Sequence, residues 1–200
     1  MSGSSRRLVL LLTSIATLLA PAAAEATQRY ASPTGGGTAC TQATPCDLDT
    51  AVEDAAVVDG DEVIVTTGSY NLVNLTIADA ITLHGQALQP TPTINVSSAS
   101  AGVNVVDAAT VRDLKIEAAN VGISVGPNAT GTVLERLSVH ASGNRGTACS
   151  ITDPTTIRDT LCWQSGSNSR ALGTSLGTFP GTYTVRLRNV TAIGTAFGVI

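Results

Sequence analysis

Apolar and polar residues alternate along most of this chain in short runs, a spacing that suits short strands and cannot sustain a helix face. In the second half the pattern repeats as Val111-Arg112-Asp113-Leu114-Lys115-Ile116, Leu134-Glu135-Arg136-Leu137-Ser138-Val139, Ile157-Arg158-Asp159-Thr160-Leu161-Cys162 and Leu187-Arg188-Asn189-Val190-Thr191-Ala192. The starts lie 23, 23 and 30 residues apart. A period in the low twenties with a strand in each unit marks a solenoid, because no unit buries its apolar side without a neighbour stacked on it. Earlier strand signals fall at Glu62 to Thr66, Leu75 to Ile77, Ile81 to Leu83, Thr93 to Val96 and Val103 to Val106, and between repeats at Gly122 to Val125 and Ala148 to Ile151. About three short strands per turn, with turns about 4.8 Å apart, describe an all-β parallel β-helix. The 30-residue interval places an enlarged loop at Ser165 to Gly181.

One helical window interrupts the strands. Thr44-Pro45-Cys46-Asp47 offers a capping hydroxyl, a proline for the first helical position and an acid three residues after the cap. Leu48, Val52 and Ala55 or Ala56 follow at helical spacing, so a short helix is predicted over Asp47 to Val58, covering the first cross-section of the core. Residues 27 to 46 read as an irregular segment around a strand-like piece at Arg29-Tyr30-Ala31.

The chain begins with Arg6-Arg7, an uncharged aliphatic run from Leu8 to Ala20, and Pro21-Ala22-Ala23-Ala24, the three regions of a secretory signal peptide cut after Ala24 or Ala26. The expected division is a leader over 1–24, an N-terminal segment with its capping helix over 25–60, and a β-helix over 61–200. Phe197-Gly198-Val199-Ile200 reads as a strand with no cap after it, so the β-helix is expected to be truncated at its C-terminus, its open edge taking a partner or further chain. These readings place the protein outside the cell or at its surface, with no membrane span in the mature chain.

Charge narrows the partners. The net charge is −4, and loss of the two leader arginines makes it −6. Residues 25 to 110 carry ten acids and one base, whereas residues 111 to 200 carry five acids and eight bases, which favours an anionic partner for the second half. A single lysine and six aromatics do not make a nucleic-acid track. Four cysteines in an exported chain imply disulfides with three pairings open, of which proximity favours Cys40 with Cys46 and Cys149 with Cys162. His84 and His140 have no metal-ligand spacing with a cysteine pair, and we expect no metal and no cofactor.

Tyr30-Ala31-Ser32-Pro33-Thr34-Gly35, Cys40 to Cys46, the short helix and Asp59-Gly60-Asp61-Glu62-Val63-Ile64-Val65-Thr66-Thr67-Gly68-Ser69-Tyr70 resemble the opening of exported right-handed parallel β-helix proteins of the pectin-lyase-like superfamily. The resemblance runs from about Tyr30 to Ile200. It implies a right-handed parallel β-helix with an N-terminal capping helix. It does not choose an activity, because the superfamily holds polysaccharide lyases, hydrolases, epimerases and non-catalytic adhesins.

Stacking the repeats gives outward columns Arg112, Glu135, Arg158, Arg188 and Asp113, Arg136, Asp159, Asn189, with charge alternating through three turns. This reads as a surface ion-pair ladder that fixes register. Asp113 and Asp159, two turns apart at about 9.6 Å, approach the spacing of an inverting carboxylate pair. Arg136 between them argues against it by favouring both ionised forms. A third column holds Glu117, His140, Trp163 and Ile193. Trp163, His140, Arg186 and Arg188 are the candidate glycan contacts, with no catalytic residue assigned. The resulting expectation is a binding or structural role, with a polysaccharide as ligand, and the alternative is a lyase or glycoside hydrolase acting on an acidic polysaccharide.

Overall fold

The structure is a computed structural model that describes residues 26–174 and 184–194 in full and the backbone of 197–199. The leader and residues 175–181 of the expected enlarged loop lie outside the described residues, and within the rest of that loop Arg170–Thr174 is a strand paired to the turn below rather than loop. The chain opens with β1 (Gln28–Ala31) and α1 (Leu48–Glu53), and then winds in successive turns. These are β2 (Glu62–Val65), β3 (Ser69–Leu72), β4 (Leu75–Ile77); β5 (Thr82–Gly85), β6 (Thr93–Val96), β7 (Ala101–Val105); and β8 (Thr110–Arg112), β9 (Lys115–Ala118), β10 (Val121–Val125). There follow β11 (Thr132–Glu135), β12 (Ser138–Ala141), β13 (Thr147–Ile151); β14 (Thr155–Gln164), β15 (Arg170–Thr174); and β16 (Arg186–Ile193), β17 (Phe197–Val199).

Every strand pair is parallel, and the pairing sorts the strands into three faces of a prism. The first face stacks β1, β2, β5, β8, β11 and the first part of β14. The second stacks β3, β6, β9, β12 and the end of β14, and the third stacks β4, β7, β10, β13, β15 and β17. Strand β16 lies on both parts of β14. The fold is a parallel β-helix, as the period predicts.

The register turns sequence repeats into continuous interior columns. Val63, Leu83, Val111, Leu134 and Ile157 stack on the first face, and Tyr70, Ile94, Ile116, Val139 and Cys162 on the second. Leu75, Val103, Ile123, Cys149 and Leu172 complete the third. All are buried, and each large aliphatic side chain contributes about 1.5–3 kcal/mol. Leu187 and Val190, the apolar positions of the fourth repeat, are less covered than their counterparts in the other three: Leu187 is 47% exposed and Val190 is partly buried, since β16 has no described rung above it. The Cys149–Cys162 disulfide links the third face of one turn to the second face of the next, and Cys40–Cys46 closes the N-terminal loop.

The first two six-residue repeats are each split into two strands, whereas the third and fourth run through the continuous strands β14 and β16. At the third position of each stand Asp113, Arg136, Asp159 and Asn189 at φ 59°, 50°, 51° and 51°, and this left-handed residue turns the chain from the first face to the second. The helix also departs from expectation. Its N-cap is Asp47, whose side chain accepts from Thr50 N at 2.7 Å, and it ends at Glu53 rather than Val58. Thr44 and Pro45 cannot open it because Cys46 bridges in parallel to Ala31, with its N–H donated to Tyr30 O, which holds the segment extended. Asp54 stops the helix by taking Ala56 N onto its own carboxylate. Leu48, Ala51 and Val52 remain buried and cover the end of the core against β1, β2 and β4. Arg29 occupies an inward position at that end, where its guanidinium donates to Ala51 O and Thr50 O at 3.0 and 3.2 Å, satisfying carbonyls of the last helical turn.

Candidate functional site

Three parts of the surface carry organised polar chemistry. The first is the corner between the first two faces. Arg136 donates from Nε and Nη2 to Asp113 at 2.6 and 2.8 Å, and Arg112 reaches the same carboxylate at 3.0 Å. Glu135 bonds Arg136 and, at 2.7 Å, Arg158 on the next turn. The Arg136 contact holds the Asp113 carboxyl below its usual range, and Asp113 in turn raises Arg136. Asp159 takes a different route from the one its column suggests: it accepts from Asn189 at 2.8 Å, with Arg188 at 3.7 Å. Each carboxylate described at this corner is engaged by a guanidinium or an amide, and the contacts between turns favour one register.

The second part is the outer column of the second face, where Asn71, Asn95, Glu117, His140, Trp163 and Ile193 stand in register. His140 Nδ1 lies 2.6 Å from Glu117 Oε2, and its Nε2 lies 2.9 Å from Ser165 Oγ. Lys115 Nζ holds the other Glu117 oxygen at 2.9 Å. Burial pushes the Glu117 carboxyl up, but the Lys115 and His140 contacts outweigh it and the net direction is down. An ionised Glu117 can only accept, so Nδ1 carries a proton, and in the neutral imidazole Nε2 is then the acceptor for the Ser165 hydroxyl. Trp163 stacks on the imidazole with ring centroids 3.6 Å apart and planes 8° apart. One face of the indole is therefore covered and closed to a sugar ring.

The third part lies where the second face turns into the third. The turn Ser165 to Ser169 stacks on the turn Ser142 to Gly146, with Arg145 N donating to Ser167 O and Ser167 N to Asn144 Oδ1. Arg145, Thr147, Asn168 and Arg170 line a groove of about 560 Å³ there. Neither arginine pairs with an acid among the described residues, whereas Arg112, Arg136, Arg158 and Lys115 all do.

The four predicted contact residues do not converge. His140 and Trp163 meet on the second face, while Arg186 and Arg188 project from the first, opposite Thr156 and Arg158. Ser165, Arg145 and Arg170 were not singled out by sequence reasoning. Ser165 follows His140 by 25 residues rather than the repeat interval of 23, so it meets the ring diagonally from the turn above. Among the described residues no group of three or more His, Cys, Asp or Glu side chains converges on a cation site, and no helix is long and apolar enough to cross a membrane.

No family model matches this sequence, and no curated protein matches it. Among solved structures, the crystal structure of pectate lyase Pel9A matches with a TM-score of 0.67 and 16% identity, covering 83% of this chain and 47% of that one. This chain spans about half the length of that enzyme, and at this identity the likeness shows the parallel β-helix fold.

Proposed function

We propose that this chain is an exported β-helix protein with a binding role outside the cell or at its surface, and that its ligand is an acidic polysaccharide. The observation that carries the reading is the Arg145–Arg170 groove, where two guanidiniums stand without an acid partner among the described residues, beside the hydrogen-bonding side chains of Thr147 and Asn168. Guanidinium groups suit carboxylate because two parallel N–H donors match its two oxygens. Arg186, with Thr130, Thr155, Thr156 and Thr184 around a groove of about 340 Å³, is a second cationic station on another face. The likeness to a pectate lyase and the two disulfides support the glycan class and the export.

Retention of the purified protein on immobilised polygalacturonate tests this. Wild type should be retained and released by salt, since exposed charge pairs are screened over about 8–10 Å. An R145A/R170A variant should elute at lower salt, and an R186A variant should shift less. Equal retention of wild type and the double variant would overturn the reading.

A further inference from the structure

We propose that Ser165 is a nucleophile activated by His140 for hydrolysis of acyl esters, with Glu117 as the residue that positions the base. The three side chains come from successive turns and form one hydrogen-bonded chain, Ser165 Oγ to His140 Nε2 at 2.9 Å and His140 Nδ1 to Glu117 Oε2 at 2.6 Å. Nucleophile, base and orienting carboxylate within hydrogen-bond reach in that order are the arrangement that activates a serine, whatever the fold. Glu117 is itself fixed by Lys115, and the imidazole plane is fixed by Trp163 stacked at 3.6 Å. Ser165 is exposed at the start of a turn, so a substrate can reach its Oγ. A bond serving structure alone would not need the base oriented from its far nitrogen.

In the reaction Ser165 Oγ attacks the ester carbonyl carbon while its proton passes to His140 Nε2. Collapse of the tetrahedral adduct breaks the bond to the alcohol oxygen, which leaves with that proton, and the acyl group stays on Ser165. Water then attacks the acyl-serine, gives one proton to His140, and releases the carboxylic acid as Oγ recovers the proton. The backbone gives the oxyanion little help. Ser165 N–H is donated to Ala141 O at 3.2 Å and Gly166 N–H to Gln164 Oε1 at 2.6 Å, so both amides beside the nucleophile already have acceptors. Loss of one oxyanion donor costs about 10²–10³ in rate, so the reactivity belongs to esters rather than amides.

This inference is independent of the glycan reading, and its test needs no glycan. The full chain is incubated with a fluorophosphonate and, separately, with p-nitrophenyl acetate, and adducts are mapped by peptide mass spectrometry. One adduct per chain is expected, on Ser165. S165A, a change at an exposed turn residue, should abolish it, and H140Q should slow labelling about 10²-fold. E117Q should slow it roughly tenfold, with E117D restoring part of the rate, a rescue that a packing role for Glu117 would not produce. Thermal melts of the same variants show that each is folded. No adduct on Ser165 in wild type, or equal labelling of wild type and folded H140Q, would overturn the proposal.

Discussion

Asp113 stands at φ 59°, a backbone state that Asp and Asn tolerate and that costs other side chains roughly 1–2 kcal/mol. D113N therefore removes the charge and keeps the corner, whereas D113A removes both. In urea denaturation at neutral pH, D113N should lose about 0.2–1 kcal/mol, the worth of an exposed ion pair, and D113A about 1 kcal/mol more. Equal losses would show that the corner conformation carries no weight. The pH dependence has a definite sign. Because the folded Asp113 carboxyl is held low by Arg136, its contribution is present above the unfolded value of about 3.9 and disappears as pH falls through the folded one. Wild type and D113N should thus diverge above about pH 4 and converge in acid. The stacking of Arg112, Glu135 and Arg158 was legible in the sequence, because parallel stacking sets residues 23 apart side by side, although only Glu135 and Arg158 pair along that column while Arg112 turns to Asp113. The left-handed bend was not. Arg136 adopts it at φ 50°, although arginine has no preference for that region, and only the neighbouring turns reveal it.

At the level of elements, strands read more truly than caps. The alternating runs located most strands, but β3 (Ser69–Leu72) went unread because Tyr70 is the only one of its four residues that is buried. The capping signal at Thr44 was overridden by a tertiary contact, the bridge of Cys46 to Ala31, that no local pattern contains. Both cystine pairings were legible from proximity, and Cys149–Cys162 is the one with structural reach, since it crosses the interior between turns. With its ends 13 positions apart in the sequence, loop-closure entropy sets its worth at about 3 kcal/mol. A C149A/C162A variant should unfold at lower denaturant by that amount, and a reductant should lower the midpoint of wild type but leave that of the variant much less changed. Identical midpoints for wild type and variant would show that the core alone fixes these turns.

Taken whole, the molecule is a stack in which each turn touches only its neighbours, so stability is a sum of turns and the interfaces between them. Its ends differ. Helix α1 and Arg29 cover the first turn, while on β16 Leu187 and Ile193 are 47% and 55% exposed. Hydrogen exchange of the 200-residue chain should therefore show β16 amides exchanging well before those of β8 and β11, with β2 protected like the central strands. Uniform protection along the stack would mean a single cooperative unit. The stack itself was legible from the period, whereas the meeting of Ser165 with His140 was not, because loops of unequal length break the interval that aligns the strands. The alternation of Arg112, Glu135 and Arg158 also restricts how such a gene can grow. Tandem copying of one turn would set carboxylate on carboxylate or guanidinium on guanidinium in that column. Copying two adjacent turns together keeps the alternation. Arg188 above Arg158 sets like on like, and there the interval stretches from 23 to 30 residues and Arg188 turns aside towards Asp159. A duplication that preserves this charged surface would therefore have to span two turns, although each turn alone repeats the backbone.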